Sequence, residues 1–245
     1  MMPQPFLSIV IPAYNEALRL GSTLEKVRQY LESRSYTNEL IVVDDGSTDQ
    51  TGGLLEEMTR RYPAMRVLRN ESNRGKGYSV RRGVLEACGE LVLFTDADLS
   101  APIEETNKLL AALESTGADA AVGSRALQRR LIGVHQPWWR EWAGRVFNHL
   151  VRCFTGLEIR DTQCGLKLFR RASTRRAFEL QHTTGFGFDP EVLFLIERFG
   201  GKVVEVPVRW NDHPASKVRF LRDALRMLFD LVALRWRVLT GRYGP

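Results

Sequence analysis

Leu91-Val92-Leu93-Phe94-Thr95-Asp96-Ala97-Asp98 joins an unbroken apolar run to two carboxylates one residue apart. Five residues without polar alternation read as a strand covered on both faces, as parallel strands are. The two carboxylates repel each other unless a cation lies between them. A hard divalent ion such as Mg²⁺ or Mn²⁺ accepts carboxylate oxygens and completes its shell with substrate phosphates. An isolated Asp-x-Asp is more often an acidic turn that caps a helix, so the flanking sequence has to choose.

The flanks repeat the pattern. Leu7–Ile11, closed by Pro12, and Leu40–Val43 read as strands, as do Arg66–Leu68 and Ala118–Val122. Helical patterns lie between them: Glu16–Leu31 with Asn15 as its cap, Asp49–Tyr62, a helix ending near Ala87, and Ile103–Ser115. This alternation predicts a mainly parallel sheet with helices on both faces. Ligands of such sheets bind beyond the carboxyl ends of the strands. The polar clusters Asn15-Glu16, Asp44-Asp45 and Asp96–Asp98 all follow strands, so they are expected to meet at one edge. Further on, a helix opens at Pro137-Trp138-Trp139-Arg140-Glu141-Trp142 and runs to Phe154. Strands follow at Leu166–Phe169 and Val203–Val208, and a basic amphipathic helix at Ser216–Leu239.

Each cluster carries two readings. Asp44-Asp45 either meets ribose hydroxyls and a base N–H or forms a turn, with Thr48 or Asp49 capping the next helix. Arg74-Gly75-Lys76-Gly77 is a plain glycine turn or a phosphate loop near a helix N-terminus. Arg125, after the fifth strand, adds a cation at the same edge or on the surface; Lys217 reaches a phosphate or stays solvated. The three tryptophans and the basic C-terminal helix suit a membrane interface, or ordinary packing on the sheet. The 245 residues carry a net charge of +6, which favours an anionic partner. The cations are scattered and no zinc finger or RNP1-like motif appears, so nucleic acid is not expected. Cys88, Cys153 and Cys164 lack C-x-x-C spacing, which argues against a zinc site or a disulfide framework. No apolar run approaches the ~20 residues needed to span a bilayer, and Met1–Phe6 carries no basic segment. A cytoplasmic protein, peripheral on the cytoplasmic face of a membrane, is expected.

Ile11-Pro12-Ala13-Tyr14-Asn15-Glu16, Val42-Val43-Asp44-Asp45-Gly46-Ser47-Thr48-Asp49, Asn73-Arg74-Gly75-Lys76-Gly77 and Asp96-Ala97-Asp98, in that order, resemble family 2 glycosyltransferases of the GT-A fold. Gly123-Ser124-Arg125, Asp161–Phe169, Gly187-Phe188-Asp189-Pro190-Glu191 and Ser216-Lys217 are similar to the dolichyl-phosphate β-glucosyltransferases and their polyprenyl-phosphate relatives. The resemblance implies a GT-A domain over residues 1–215 and an interfacial helix over 216–245. It implies an inverting enzyme that moves one sugar, glucose from UDP-glucose, to polyprenyl or dolichyl phosphate. Pro12, Ala13, Tyr14, Glu16, Val43, Asp45, Lys76 and Ala97 would hold the nucleotide. Asp96 and Asp98 would hold Mg²⁺ or Mn²⁺ and the diphosphate, with Asp98 the primary ligand. Arg125, Arg140 and Lys217 would meet the donor or phosphate groups. Asn211 stands where mannosyl-transferring relatives carry arginine, and Gln163-Cys164-Gly165 also departs from their form. A GDP-mannose donor, or a sugar-hydroxyl acceptor with Asp189 or Glu191 as base, is the alternative. Val232 replaces the glutamine of Q-x-x-R-W before Arg235-Trp236, which argues against chain elongation.

Overall fold

A computed structural model describes residues 4–212 and 220–244. The first half alternates strand and helix: β1 (Leu7–Ala13), α1 (Leu20–Glu32), β2 (Asn38–Asp44), α2 (Thr51–Arg61), β3 (Met65–Arg69), α3 (Lys76–Glu86), β4 (Leu91–Thr95), α4 (Thr106–Thr116) and β5 (Ala120–Ser124). There follow β6 (Ile132–Val134), α5 (Trp138–Thr155), β7 (Leu166–Arg170), α6 (Arg171–Glu179), α7 (Phe188–Arg198), β8 (Val203–Pro207), β9 (Trp210–Asn211) and α8 (Phe220–Leu239).

Seven strands form one sheet in the order β3-β2-β1-β4-β7-β5-β8. All neighbours are parallel except β7, which runs antiparallel to both β4 and β5. Strand alternation divides the core. Leu7, Ile9, Leu40, Val42, Leu91 and Leu93 face α1, α2 and α4, whereas Val10, Ile41, Val43, Val92 and Phe94 face α3, α5, α6 and α7. The continuous apolar runs are therefore what a sheet buried on both faces requires. The expected α/β GT-A architecture, a mainly parallel mixed sheet with helices on both faces, is what forms.

The reversal of β7 has a local consequence. Thr95 pairs with Leu166, so the chain enters β7 at the edge where β4 leaves. This places the 161–165 segment beside the Asp96 turn. α1 begins at Leu20 rather than Glu16. Asn15 is left-handed (φ 55°), and its Oδ1 accepts the Thr48 and Asp49 amides at 2.8 and 3.3 Å. It ties the β1 turn to the β2 turn instead of capping α1. Asp49 Oδ1 accepts the Thr51 amide at 2.9 Å just ahead of α2, whose N-cap is Gln50 without a side-chain cap.

α8 lies on α5 and α7, with Leu231 and Leu234 buried in the second core. Its opposite side leaves Leu225, Leu228, Phe229, Val232, Trp236 and Leu239 exposed, Phe229 to 71%. These positions recur at helical spacing and form one apolar stripe. α5 exposes Trp138, to 79%, with Trp142 and Val146. Among the described residues, no helix is long and apolar enough to cross a membrane.

Candidate active site

The turns after β1, β2 and β4, with the start of α3, surround a cleft of about 690 Å³. Of the residues singled out from sequence, Pro12, Ala13, Tyr14, Glu16, Asp45, Lys76, Asp96, Ala97 and Asp98 line it. Val43 does not: its side chain is fully buried in the second core. A β2 residue one position before Asp44 points to the α3 face, leaving only its backbone for any part in the site. Lys217 lies outside the described residues.

Asp45 is buried and shapes the loop that follows β3. Its Oδ1 accepts Asn70 Nδ2 at 2.6 Å and the Arg74 amide at 2.9 Å, and its Oδ2 accepts the Gly75 amide at 2.8 Å. Gly75 (φ 100°) opens α3 in a conformation that disfavours any side chain, and a Cβ there would lie 2.4 Å from the Thr184 carbonyl oxygen. The next residue, Lys76, donates its Nζ to Asp96 Oδ1 at 2.7 Å. Burial opposes its charge, but Asp96, Asp189 and Asp98 outweigh that and hold its pKa above the ordinary lysine value. The ammonium is thus fixed at the Asp-x-Asp turn.

That turn is tightly specified. Leu99 is left-handed (φ 46°), an uncommon state for a residue of its shape and one that gathers at functional sites. Asp98 Oδ1 accepts the Ser100 amide at 3.0 Å, and Arg19 approaches Asp98 Oδ2 at 3.7 Å while also pairing with Glu16. The Asp96 amide donates to the Gly165 carbonyl at 3.1 Å. A Cβ at Gly165 would lie 1.9 Å from Asp96 Oδ2, so only glycine fits. Among the described residues, no three His, Cys, Asp or Glu side chains converge. Two carboxylates on a cleft of this size fit a divalent ion whose remaining ligands come from substrate phosphates.

Arg125 and Arg140 belong to a neighbouring cavity of about 340 Å³, lined also by Arg129, Arg145, Arg160, Asp161, Glu141 and Trp210. Arg125 holds Asp161 through Nε and Nη2 at 2.7 and 2.8 Å, and Trp210 lies 5.2 Å below its guanidinium. Arg140 Nε is buried with no hydrogen-bond partner among the described residues, which suits an anion that arrives with the ligand. Asp161 lines this cavity and Gly165, four residues on, touches Asp96, so one segment separates the two spaces.

Asp189 and Glu191, the two carboxylates suited to a general base, are buried and do not line the cleft, although Asp189 is near enough to act on the charge of Lys76. Lys167 Nζ lies 2.5 Å from Asp189, and Glu191 accepts the His182 and Thr183 amides. Burial pushes the Cys164 thiol up to about 12, so it is no nucleophile.

Three charged residues of α8, Arg222, Asp223 and Arg226, also line the cleft, with Phe186 from the loop before α7. Sequence periodicity placed these charges on a helix without saying which neighbour they face.

Comparison with known proteins agrees with this geometry. The glycosyl transferase family 2 profile matches residues 8–178. A dolichyl-phosphate beta-glucosyltransferase of Trichomonas vaginalis is 36% identical over 242 residues, 95% of this chain and 73% of the relative. Those of Drosophila melanogaster and Homo sapiens are 37% and 34% identical over 253 residues, covering 98% of this chain and 78% of each relative. Among solved structures, glucosyl-3-phosphoglycerate synthase from Mycobacterium tuberculosis, in complex with Mn²⁺, uridine diphosphate and glucosyl-3-phosphoglycerate, superposes with a TM-score of 0.69 at 21% identity. That match covers 98% of this chain and 81% of the other, and it speaks to the fold. The chain belongs to glycosyl transferase family 2, as a nucleotide-sugar-dependent hexosyltransferase of the group that contains the dolichyl-phosphate β-glucosyltransferases.

Proposed function

We propose that this enzyme transfers glucose from UDP-glucose to a polyprenyl or dolichyl phosphate at a membrane surface, with inversion. The observation that carries the acceptor assignment is the arginine-rich cavity beside the Asp-x-Asp turn, where Arg140 Nε is buried with no hydrogen-bond partner among the described residues. A phosphate acceptor is an anion near neutral pH, its second pKa being about 6. It needs cations against donor repulsion and no base to remove a proton. A sugar-hydroxyl acceptor would need that base, and Asp189 and Glu191 are committed to Lys167 and to backbone amides.

In this reading the nucleoside occupies the side of the cleft formed by Pro12, Ala13, Tyr14, Glu16 and Asp45, and its diphosphate lies by Lys76, Ala97, Asp96 and Asp98. A divalent ion, Mg²⁺ or Mn²⁺, held by Asp98 and Asp96 with the diphosphate, supplies charge neutralisation for the leaving group. Lys76, fixed before substrate arrives, offers positive charge without reorganisation, the usual source of the largest catalytic term. Arg125 is oriented by Asp161 toward the junction of the two spaces. Arg140, with Lys217, holds the acceptor phosphate for in-line attack, so an α-linked donor gives a β-linked product. Radiolabelled UDP- and GDP-sugars offered with a short polyprenyl phosphate test the whole reading. Label from UDP-glucose alone is expected in the organic phase; transfer from GDP-mannose, or to free sugars, overturns it.

Arg140→Ala is expected to raise the acceptor KM about ten- to a hundredfold, the cost of losing a charged hydrogen bond of about 1.5–3 kcal/mol. The donor KM stays within twofold. A change confined to the donor KM refutes the acceptor site.

The lipid tail has to lie along the bilayer. The exposed stripe of α8 and the tryptophans of α5, edged by Arg152, Arg235 and Arg242, suit an anionic headgroup layer, and residues 216–245 form the interfacial segment of this proposal. Trp138→Ser with Trp142→Ser is expected to weaken flotation with anionic liposomes about tenfold or more, since each ring buries roughly 1–2 kcal/mol of apolar surface. Turnover of a water-soluble, short-chain acceptor stays unchanged. Undiminished flotation removes α5 from the interface.

A further inference from the structure

Glu191 is only 1% exposed and stands in the first turn of α7, outside the cleft. Its carboxylate joins two distant parts of the chain. On one side it accepts the His182 and Thr183 amides at 3.0 and 2.7 Å. On the other it accepts the Tyr243 hydroxyl at 2.5 Å, with Arg237 of α8 3.7 Å away. Tyr243 is itself 1% exposed. Burial and the adjacent Glu191 raise its pKa, so the phenol stays a donor.

The segment gripped by Glu191 is the one that braces the loop around Lys76. Gln181 Nε2 donates to the Gly77 carbonyl at 2.9 Å, and the Tyr78 amide donates to the Thr184 carbonyl at 3.1 Å. Gly75 and Gly77 have no room for a Cβ against Thr184 and Thr183. Two residues further, Phe186 lines the cleft with its ring 5.7 Å from Lys76 Nζ. A continuous series of short contacts therefore runs from Tyr243 through Glu191 and residues 182–186 to Lys76 and Asp96. A buried carboxylate is costly unless every oxygen is satisfied, so the segment and the tyrosine hold each other in place.

We infer that Glu191 and Tyr243 form a latch that positions the 182–186 segment and, through it, the Lys76 loop, and so sets affinity for the diphosphate of the donor. Both are positioning residues; neither touches substrate. The inference rests on the donor reading above.

The test measures binding of UDP, GDP and uridine by calorimetry to the full chain, its Tyr243→Phe and Glu191→Gln variants and the double variant, with melting temperature recorded. Tyr243→Phe keeps the ring and loses one hydrogen bond; Glu191→Gln keeps the volume and sets an NH₂ against an amide donor. Each single variant is expected to weaken UDP about five- to tenfold and leave uridine, which lacks the diphosphate, within twofold. The double variant is expected to match the weaker single one, because the two act through one contact. Unchanged UDP binding with a lowered melting temperature makes the contact merely structural and overturns the latch. Equal weakening of UDP and uridine overturns it as well, as does multiplication of the two single effects. Should the unaltered chain prefer GDP, the uridine-donor reading falls, and the latch is judged by the same comparison on GDP against guanosine.

Discussion

Asp98→Asn is expected to lower transfer of glucose to polyprenyl phosphate about a hundred- to a thousandfold at saturating Mn²⁺, the usual cost of removing one preorganised electrostatic group. The side chain keeps its size and its Oδ1 still accepts the Ser100 amide, so the turn survives and the melting temperature moves little. What goes is one negative charge in a cleft where Lys76 and Arg19 already offset part of the acidic charge. With that charge missing, the five acids lining the cleft become four, equal to its four cations, and a divalent ion is no longer favoured there. The loss is measured as radiolabel entering the organic phase, with Mn²⁺ titrated to saturation. Wild-type rates at high metal would show that Asp98 has no part in holding the ion. UDP titrated with and without Mn²⁺ gives an independent reading: the metal-dependent gain in affinity is expected to vanish in the variant.

Gly165→Ala is expected to be nearly as damaging, although it changes no charge. The added methyl would lie 1.9 Å from Asp96 Oδ2 and 2.5 Å from Cγ, well inside van der Waals contact. Asp96 is held on its other side by Lys76, and its amide is bonded to the Gly165 carbonyl, so neither partner moves freely. One of two contacts has to break: the Lys76 ion pair or the backbone bond that joins the β4 turn to the 161–165 segment. Overpacking of this kind costs about 1–3 kcal/mol of stability. The catalytic loss is expected to exceed tenfold, because a misplacement of about 1 Å at a reacting centre costs up to about a hundredfold. Uridine binding, on the far side of the cleft, stays within twofold. Full activity in this variant would show that Asp96 sits elsewhere in the working enzyme.

The strand-end clusters were legible because their signal is local: an apolar run, then polar residues, at the edge where open α/β sheets bind ligands. The pairing of Asp96 with Lys76 was not, since twenty residues separate them and only the folded loop brings them together. Helices α6 and α7 escaped notice for opposite reasons. α6 is mostly polar, with Thr174, Ala177 and Phe178 its buried residues. α7 is buried almost all round, charged residues included, and a helix without a wet face has no amphipathic period to read. The C-terminal helix was readable as amphipathic, but not the division of its surface among the core, the cleft and an open apolar stripe. Position 211 reads differently once folded: Asn211 Oδ1 accepts the Val134 amide at 3.1 Å and its own amide donates to Ser100 at 2.8 Å. It secures β6 against the segment after the acidic turn, a task that an arginine would perform differently.

The reversed strand β7 also governs the order in which the chain assembles. β5 reaches the rest of the sheet only through β7, which is made some forty residues later. Until Leu166–Arg170 emerges from the ribosome, the open side of β4 has no partner and β5 has no strand to join, since β8 is made later still. The growing chain therefore carries an unpaired, largely apolar sheet edge while residues 96–165 are made. Such edges recruit other chains, so the interval between the acidic turn and its glycine partner is where the growing chain is most open to mispairing.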